Sequence, residues 1–422
     1  MKLRVIVIGG GIGGLALAQG LRRRGVEVAA YERDRTPTDR LQGYRVHINT
    51  AGSRALHACL PPEVFAAFLA TCGQPNTGIG LFTHRLRELI WFGSDRPDPD
   101  PDPVDGVKSA SRISLRQVLL AGLDDVVRFG KAFTHYRREP DGRVTACFAD
   151  GSTATGDVLV GADGGNSRVR QQYLPDAQRV DTGVTGIQGK VWLTAAVQAL
   201  LPDRLVAGPV MIPGPRGLGM FLAMHQFQPV PPELAALLGP EAAAQRDYVM
   251  WGLLARRTRL PADLEQLDAI QLQSLALQRI ERWHPNLRRL VGATDPDTVL
   301  LTPIRTSVPV PAWTASTVTL LGDAIHSMPP TGGVGANTAL RDAALLAGEL
   351  SRAAGGERPL YQAIGDYEAE MRRYGFAAVE DSLRNLRRQQ RTANPLALTG
   401  MKLALRTVNA IGPLKRRAFT AA

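Results

Sequence analysis

Three places in the chain bring together residue types that can hold a phosphate, a sugar or a charged ring. In the run VIVIGGGIGG, Gly9, Gly11, Gly13 and Gly14 follow an apolar stretch with GxGxxG spacing, and Glu32 closes the next apolar run. Glycines so spaced permit a tight turn, close approach of a pyrophosphate to the backbone and close helix–strand packing. The helix start adds amides and a positive dipole, and an acidic residue about 20 positions on can reach ribose hydroxyls. A dinucleotide site is expected. FAD and NAD share the ADP half, so this motif alone leaves both open.

The second place is DVLVGADGGNSRVR, where a strand stops at Gly161 and Asp163 and Gly164 turn before Ser167 and Arg168. The third is VTLLGDAIHSMPPTGGVGANTALRDAALLAGEL, where Asp323 ends another apolar strand and a Pro/Gly loop, Pro330 to Asn337, leads into a helix. A carboxylate at a strand's C-terminal end accepts a hydroxyl hydrogen bond, and helix-start amides hold partial negative charge. There is no HExxH and no GxxxxGK[ST], which leaves metal hydrolysis and P-loop hydrolysis without support. Cys59, Cys72 and Cys147 make no CxxC, so neither a zinc ribbon nor a disulfide reductase is indicated.

These groups need a frame. Apolar periodicity predicts strand Lys2 to Ile8, a glycine loop, a helix to about Arg24 and strand Glu27 to Glu32, a βαβ unit. SDRPDPDPDPVDG reads as an exposed loop, Ser111 to Leu123 as a helix, and Val126 to Gly161 as short strands. From about Asp181 the pattern changes to β-like runs and then an Ala/Leu-rich helical stretch. After Asn394 an amphipathic helix is expected, carrying Leu396, Leu398, Met401, Leu405 and Val408.

The chain has 422 residues, 44% hydrophobic and 21% charged, which fits a globular protein of two or three domains. No secretory signal or membrane span is read, and the unpaired cysteines fit a reducing cytoplasm. Of the net charge of +11, +8 falls from Asp381 onward. This is expected as a solvated helical surface, with no nucleic-acid partner and membrane-surface contact by the tail as the lesser reading.

Taken together, GxGxxG with Glu32, the AspGly segment and the GlyAsp segment resemble the class A FAD-dependent flavoprotein monooxygenases, the family of para-hydroxybenzoate hydroxylase and the tetracycline-inactivating hydroxylases. The order and spacing match over about 350 of the 422 residues. The resemblance implies an α/β fold: a Rossmann-like FAD-binding domain assembled from residues 1–80, 107–180 and 291–375, a β-sheet-based substrate domain from 81–106 and 181–290, and a C-terminal helical segment, 376–422. It implies FAD and either NADPH or NADH as cofactors, and O2 and a phenolic or polycyclic aromatic small molecule as reactants, hydroxylated through a flavin C4a-hydroperoxide. An oxidase, a Baeyer–Villiger enzyme or a halogenase on the same fold, or a non-enzymatic binding module like the GDP-dissociation inhibitors, are the alternatives. The halogenase WxWxIP signature is absent.

By the same resemblance Gly9, Gly11, Gly13, Gly14 and Glu32 hold the ADP half, with Arg33 beside the adenine. Arg112 reaches the ribityl or phosphate region, with Arg116 second to it. Asp163 supports FAD and the transient nicotinamide, and Asp323 binds the ribityl chain. Pro330, Gly333, Val334, Gly335, Ala336 and Asn337 lie along the flavin pyrimidine edge. GYRVHINTAG places Gly43 and Arg45 near the cofactor, with Arg45 departing from a usually small residue: pyrophosphate, substrate cavity or surface pairing are open to it. Substrate contacts are expected among Gln188, Arg216, Met220, Phe221, Met224, His225 and Phe227, chiefly Gln188, Phe221 and His225. Strand alternation must turn about half of them away. His326 is expected to make a structural hydrogen bond.

Overall fold

In a computed structural model, residues 3–37, 39, 44–94, 102–238 and 245–411 are described. RVIVI, Arg4–Ile8, is apolar on both faces and becomes a central strand of a five-stranded parallel sheet. Its neighbours are Glu27–Tyr31 and then Val127–Arg128 on one side, and Val158–Gly161 and then Val318–Leu320 on the other. Chain order reverses direction at Arg4–Ile8, and in open parallel sheets ligands sit outside the strand carboxyl ends at such a switch point. The glycine loop and Asp163 end the two strands that flank it.

Helix Ile12–Arg23 packs on helix Gly335–Ala354, whose Leu340, Ala343, Leu346, Ala347 and Leu350 are buried, as the 3.6-residue spacing requires. The crossing is close: a Cβ on Gly20 would lie 3.0 Å from the Ala347 methyl.

The second layer is a seven-stranded sheet ordered Leu300–Ser307, Arg179–Trp192, Tyr248–Arg256, Gly219–His225, Val210–Pro213, Gly78–Phe82 and Glu88–Gly93. One face carries Ile187, Val191, Leu222, Val249, Trp251 and Leu253 into a core with helices Ala269–Arg279 and Pro285–Gly292. Period-2 alternation places Gln188, Lys190, Trp192, Phe221, His225, Tyr248 and Met250 on the opposite face. There the sheet meets a two-stranded ribbon, Arg45–Ile48 paired with Lys108–Ser111.

Several elements differ from the sequence expectations. Strand Lys108–Ser111 fills the stretch left unassigned between the loop ending at Gly106 and the helix expected from Ser111, because its four-residue KSAS has no apolar periodicity. Leu300–Ser307, expected in the nucleotide domain, pairs with Arg179–Trp192 instead, and Gly78–Phe82 straddles the anticipated boundary at 80. Helix Leu360–Gln390 runs unbroken through residue 375. It ties the layers together: Tyr367 donates to the Leu320 carbonyl at 2.8 Å, and at its far end Gln390 accepts from Arg256 at 3.0 Å. Helix Pro395–Ala410 packs against Glu88–Gly93 and buries Leu398, while Leu396 stands 82% exposed. Most of the aspartate–proline run, residues 95–101, lies outside the described residues.

On the long helix, buried Glu368 accepts a hydrogen bond from the Thr319 hydroxyl at 2.8 Å, and burial pushes its carboxyl up to about 7. The folded state therefore binds this proton more tightly than the unfolded chain, and stability is lost as pH climbs from the unfolded value of 4.5 toward 7. Glu368→Gln should be more stable than the parent by about 1–3 kcal/mol at pH 8, with the gap closing below pH ~4.5. Paired urea melts at the two pH values measure it, and an equal gap at both would refute the assignment.

Candidate active site

The cleft at the switch point has a volume of about 470 Å³ and is bordered by Gly9–Ile12, Tyr31–Asp34, Arg112, Arg116, Lys131–Phe133 and Ala162–Gly164, with Asn166 and Arg168. Gly9 takes φ +115°, a conformation open to glycine, and a Cβ on it would lie 2.3 Å from the Ala162 carbonyl oxygen. On Gly14 a Cβ would meet the Gly9 carbonyl oxygen at 2.1 Å. Gly11 is different, since a Cβ there meets nothing within 4 Å and would project into space left for a ligand. Gly13 is a packing glycine against Leu321. The four glycines thus divide into three that let the chain close up and one that leaves room.

Glu32 accepts from the Gly10 amide at 2.6 Å and the Asp34 amide at 2.9 Å, which fixes its carboxylate at the cleft edge. Arg116 donates to the Pro37 carbonyl at 2.8 Å and the Gly10 carbonyl at 3.3 Å, clamping the loops together. Arg33 and Arg112 are exposed at the cleft, free to meet an anion. Asp163 accepts at Oδ2 from the Arg168 amide at 2.7 Å, while its buried Oδ1 has no hydrogen-bond partner. Burial raises this carboxyl's pKa, against the pull of its hydrogen bonds. An orphaned buried acceptor facing a cleft fits a ligand hydroxyl. Together with the open space at Gly11 and the surrounding cations, these residues fit a dinucleotide.

Asp323 begins a short helix one strand further along and does not border this cleft. Its turn is held from behind. The Asp342 carboxylate accepts from the Gly322 amide at 2.7 Å, His326 Nε2 at 2.6 Å and the Tyr374 hydroxyl at 2.5 Å. His326 is therefore structural. The Pro330–Asn337 loop also lies beyond the cleft, with Gly333 at φ +64° and helix Gly335–Ala354 starting behind it. Asn337, read as a cofactor contact, engages the protein with its side chain: it accepts from the Asn49 amide at 2.9 Å and donates to the His47 carbonyl at 2.8 Å. Only its backbone is left for a ligand. Gly43 lies outside the described residues.

Arg45, for which pyrophosphate, substrate cavity and surface pairing were all open, does not border the cleft at the switch point. Its strand turns the side chain toward the larger sheet, where Nε donates to Ser109 Oγ at 2.6 Å and buried Nη2 has no partner. Ser109 Oγ in turn lies 3.1 Å from His225 Nδ1. His225 Nε2, on the other side of the ring, is buried and unpartnered. Burial, then Arg45 and Lys190, push the His225 pKa down to about 3. His225 is stacked on Tyr248 at 5.4 Å, and Lys190 Nζ lies 4.5 Å from the same ring, pushed down to about 8 by burial.

Gln188 and Phe221 share this face, both opposite Gly252, whereas Met220 packs in the helical core and Arg216 sits in a turn at φ +61°. Sequence reasoning passed over Lys190, Tyr248, Tyr44 and Ser109. A signal for Lys190 was present: a lone charge in GIQGKVWL, at the same strand parity as Gln188.

A Rossmann-like dinucleotide domain joined to a sheet-walled second domain defines a two-domain flavoenzyme architecture. The FAD binding domain family matches residues 280–382, and the NAD(P)-binding Rossmann-like domain matches residues 7–70. A dual O-methyltransferase/FAD-dependent monooxygenase of Phaeosphaeria nodorum is 33% identical over 420 residues, covering 89% of this chain and 45% of that protein. The aurachin C monooxygenase/isomerase of Stigmatella aurantiaca is 30% identical, covering 87% of this chain and 84% of that one. A crystal structure from Photorhabdus luminescens, assigned as an FAD-containing monooxygenase, superposes with a TM-score of 0.81 at 37% identity, over 93% of this chain and 98% of that one. The chain belongs to the class A FAD-dependent monooxygenases, and FAD is its cofactor. It spans about half the length of the fungal relatives it matches. Among the described residues no helix is long and apolar enough to cross a membrane.

Proposed function

We propose that the protein uses NADH or NADPH and O2 to hydroxylate a phenolic or polycyclic aromatic small molecule. The observation that carries this reading is the polar and aromatic sheet face of Gln188, Lys190, Phe221, His225 and Tyr248, which meets the ribbon of Arg45–Ile48 and Lys108–Ser111 at Ser109, the ribbon in turn being bonded through His47 to Asn337 at the end of the Pro330–Asn337 loop. Bound FAD supplies the transfer of reducing equivalents from the nicotinamide to oxygen.

The chain's own residues bind, orient and shield. Amides at Gly9–Ile12 and the helix that starts there take the pyrophosphate, with Arg33 and Arg112 adding charge. Asp163 Oδ1 would accept a ligand hydroxyl, and by the family resemblance Asp323 would take the ribityl chain. Amides at the start of helix Gly335–Ala354 hold negative charge on the ring's pyrimidine edge. Phe221, Phe227 and Tyr248 make a wall for a flat aromatic ring and keep water from it. The chain carries no second strand-embedded GxGxxG, which supports transient nicotinamide binding at the same cleft.

The test is the visible spectrum of the purified protein, followed by NADPH and NADH oxidation against a panel of phenols and polycyclic compounds. The expected result is a flavin spectrum and one compound that speeds oxidation and gains one oxygen atom in mass. Bound flavin with oxidation that no aromatic compound accelerates would overturn the substrate class. Separately, Asp163→Ala should weaken FAD binding by about tenfold or more, since a hydrogen bond to a charged group contributes ~1.5–3 kcal/mol. Fluorescence titration of the apoprotein with FAD reads this, and an unchanged affinity would remove Asp163 from the site.

A further inference from the structure

Around Tyr248 the two layers of the molecule enclose a set of unpartnered polar groups, two of them on cationic side chains. Arg45 Nη2 is a buried donor without a partner, and His225 Nε2 and the Tyr248 hydroxyl are buried and unpartnered as well. Lys190 Nζ rests over the rings of Tyr248 and Tyr44, at 4.5 and 5.7 Å, with no hydrogen bond to a described residue. Among the described residues no carboxylate pairs with Arg45 or Lys190. Nearby Asp295 accepts instead from the Trp192 indole at 2.8 Å, and Asp247 from the Phe227 amide at 2.9 Å. Two buried cations without a counter-charge are costly, and a fold keeps them where an anion arrives.

Resting on the reading above, we infer that this cluster is an oxyanion site: Lys190, with Arg45 and His225, selects substrates bearing an ionised oxygen on a planar ring, and Lys190 is the specificity-determining residue. The aromatic wall takes the ring and the donors take the charged oxygen. Neutral ethers of the same shape leave the donors unpaired and are rejected. Lys190 Nζ has only the two aromatic rings for company, whereas Arg45 is also anchored by Ser109.

The probes are 2-hydroxy-1,4-naphthoquinone, ionised at neutral pH, and its neutral methyl ether, titrated calorimetrically into the FAD-loaded protein. Crystals of the same protein soaked in sodium bromide supply a second, shape-independent arm through anomalous scattering. The expected result is affinity for the anion at least about tenfold above that for the ether, the effect of one charge-assisted hydrogen bond of ~1.4 kcal/mol or more, together with bromide beside Lys190. In Lys190→Met the preference should fall to about twofold or less and the bromide should vanish, while flavin content stays at the parent level. Equal affinities, a preference that survives in Lys190→Met, or bromide bound only away from Lys190 would overturn the assignment. If neither quinone binds, the bromide arm decides. Flavin colour and NADPH oxidation on the same sample keep the two readings apart. A yellow, NADPH-oxidising protein without anion preference removes the oxyanion site alone, and a colourless protein with bromide at Lys190 removes the monooxygenase reading alone.

Discussion

Gly9→Ala is expected to purify without flavin and to melt several degrees below the parent, whereas Gly11→Ala should match the parent's melting temperature in the absence of FAD yet bind FAD at least about tenfold more weakly. The contrast follows from what each methyl group meets. At Gly9 it would sit 2.3 Å from the Ala162 carbonyl oxygen and 3.0 Å from the Asp163 Cα, on a residue at φ +115°. Both obstacles are backbone, so relief requires the ends of two neighbouring strands to part. Backbone strain of this kind costs about 1–3 kcal/mol even before the clash is counted. It also moves the loop whose Gly10 amide is bonded to Glu32 at 2.6 Å. At Gly11 the added methyl group meets nothing within 4 Å, so the protein alone does not register it. It occupies ligand space, and its cost is seen when the pyrophosphate must approach the backbone. Thermal melts of the two apoproteins and FAD titrations give the four numbers required. Parent-like FAD affinity in Gly11→Ala would show that the pyrophosphate does not lie over that residue.

What was legible in the sequence was local. GxGxxG, Glu32 and AspGly each sit within a few residues of a strand end, and strand ends of a parallel sheet converge in space whatever happens between them. Their grouping around one switch point could therefore be read in advance, whereas Asp323 of the GlyAsp segment lies one strand further along and does not border that cleft. The Pro330–Asn337 loop was also legible as a helix start, but the use of Asn337 was not. Its amide answers to His47 and Asn49, 290 and 288 residues away in the chain, and nothing in GGVGANTAL shows that these backbone groups need a partner.

The sheet face proposed for the substrate was half legible for a different reason. Alternation correctly implies that residues such as Met220 and Phe221 point to opposite sides, but it does not say which side holds the helices. Here the placement of Leu272, Leu275 and Leu290 against Trp251 and Leu253 settles the choice. The choice among the three roles open to Arg45 could not be made from the sequence because its partner, Ser109, lies on a four-residue strand too short to announce itself, and the register of that pairing turns the guanidinium toward the larger sheet. Residues whose roles are set by long-range pairing escape a reading that works from neighbours.

Asp342→Ala should be the most damaging single change outside the glycine loop, lowering stability by about 3–5 kcal/mol and weakening FAD binding without touching the cleft, because the loss of one buried partner leaves its donors unsatisfied. Asp342 is fully buried and serves three donors at once: the Gly322 amide, His326 and Tyr374. Gly322 takes φ +63° immediately before Asp323, so the carboxylate behind it fixes the turn that aims Asp323. Burial of His326 opposes its protonation, but the Asp342 charge and hydrogen bond outweigh this and raise its pKa above 6.5. The sign then follows: the pair's contribution is complete below the unfolded histidine value and is lost as pH rises through the higher folded one. The gap between parent and Asp342→Ala should accordingly be widest near pH 6 and narrow under alkaline conditions, without closing, since the Gly322 and Tyr374 bonds carry no such dependence on His326. Denaturant melts from pH 6 to 9 with FAD titrations at each end measure both effects. A gap independent of pH would leave His326 neutral throughout. Parent-like FAD affinity in a correctly folded variant would mean that the Gly322 turn holds its shape without the carboxylate, and that Asp323 is aimed by the short helix it begins.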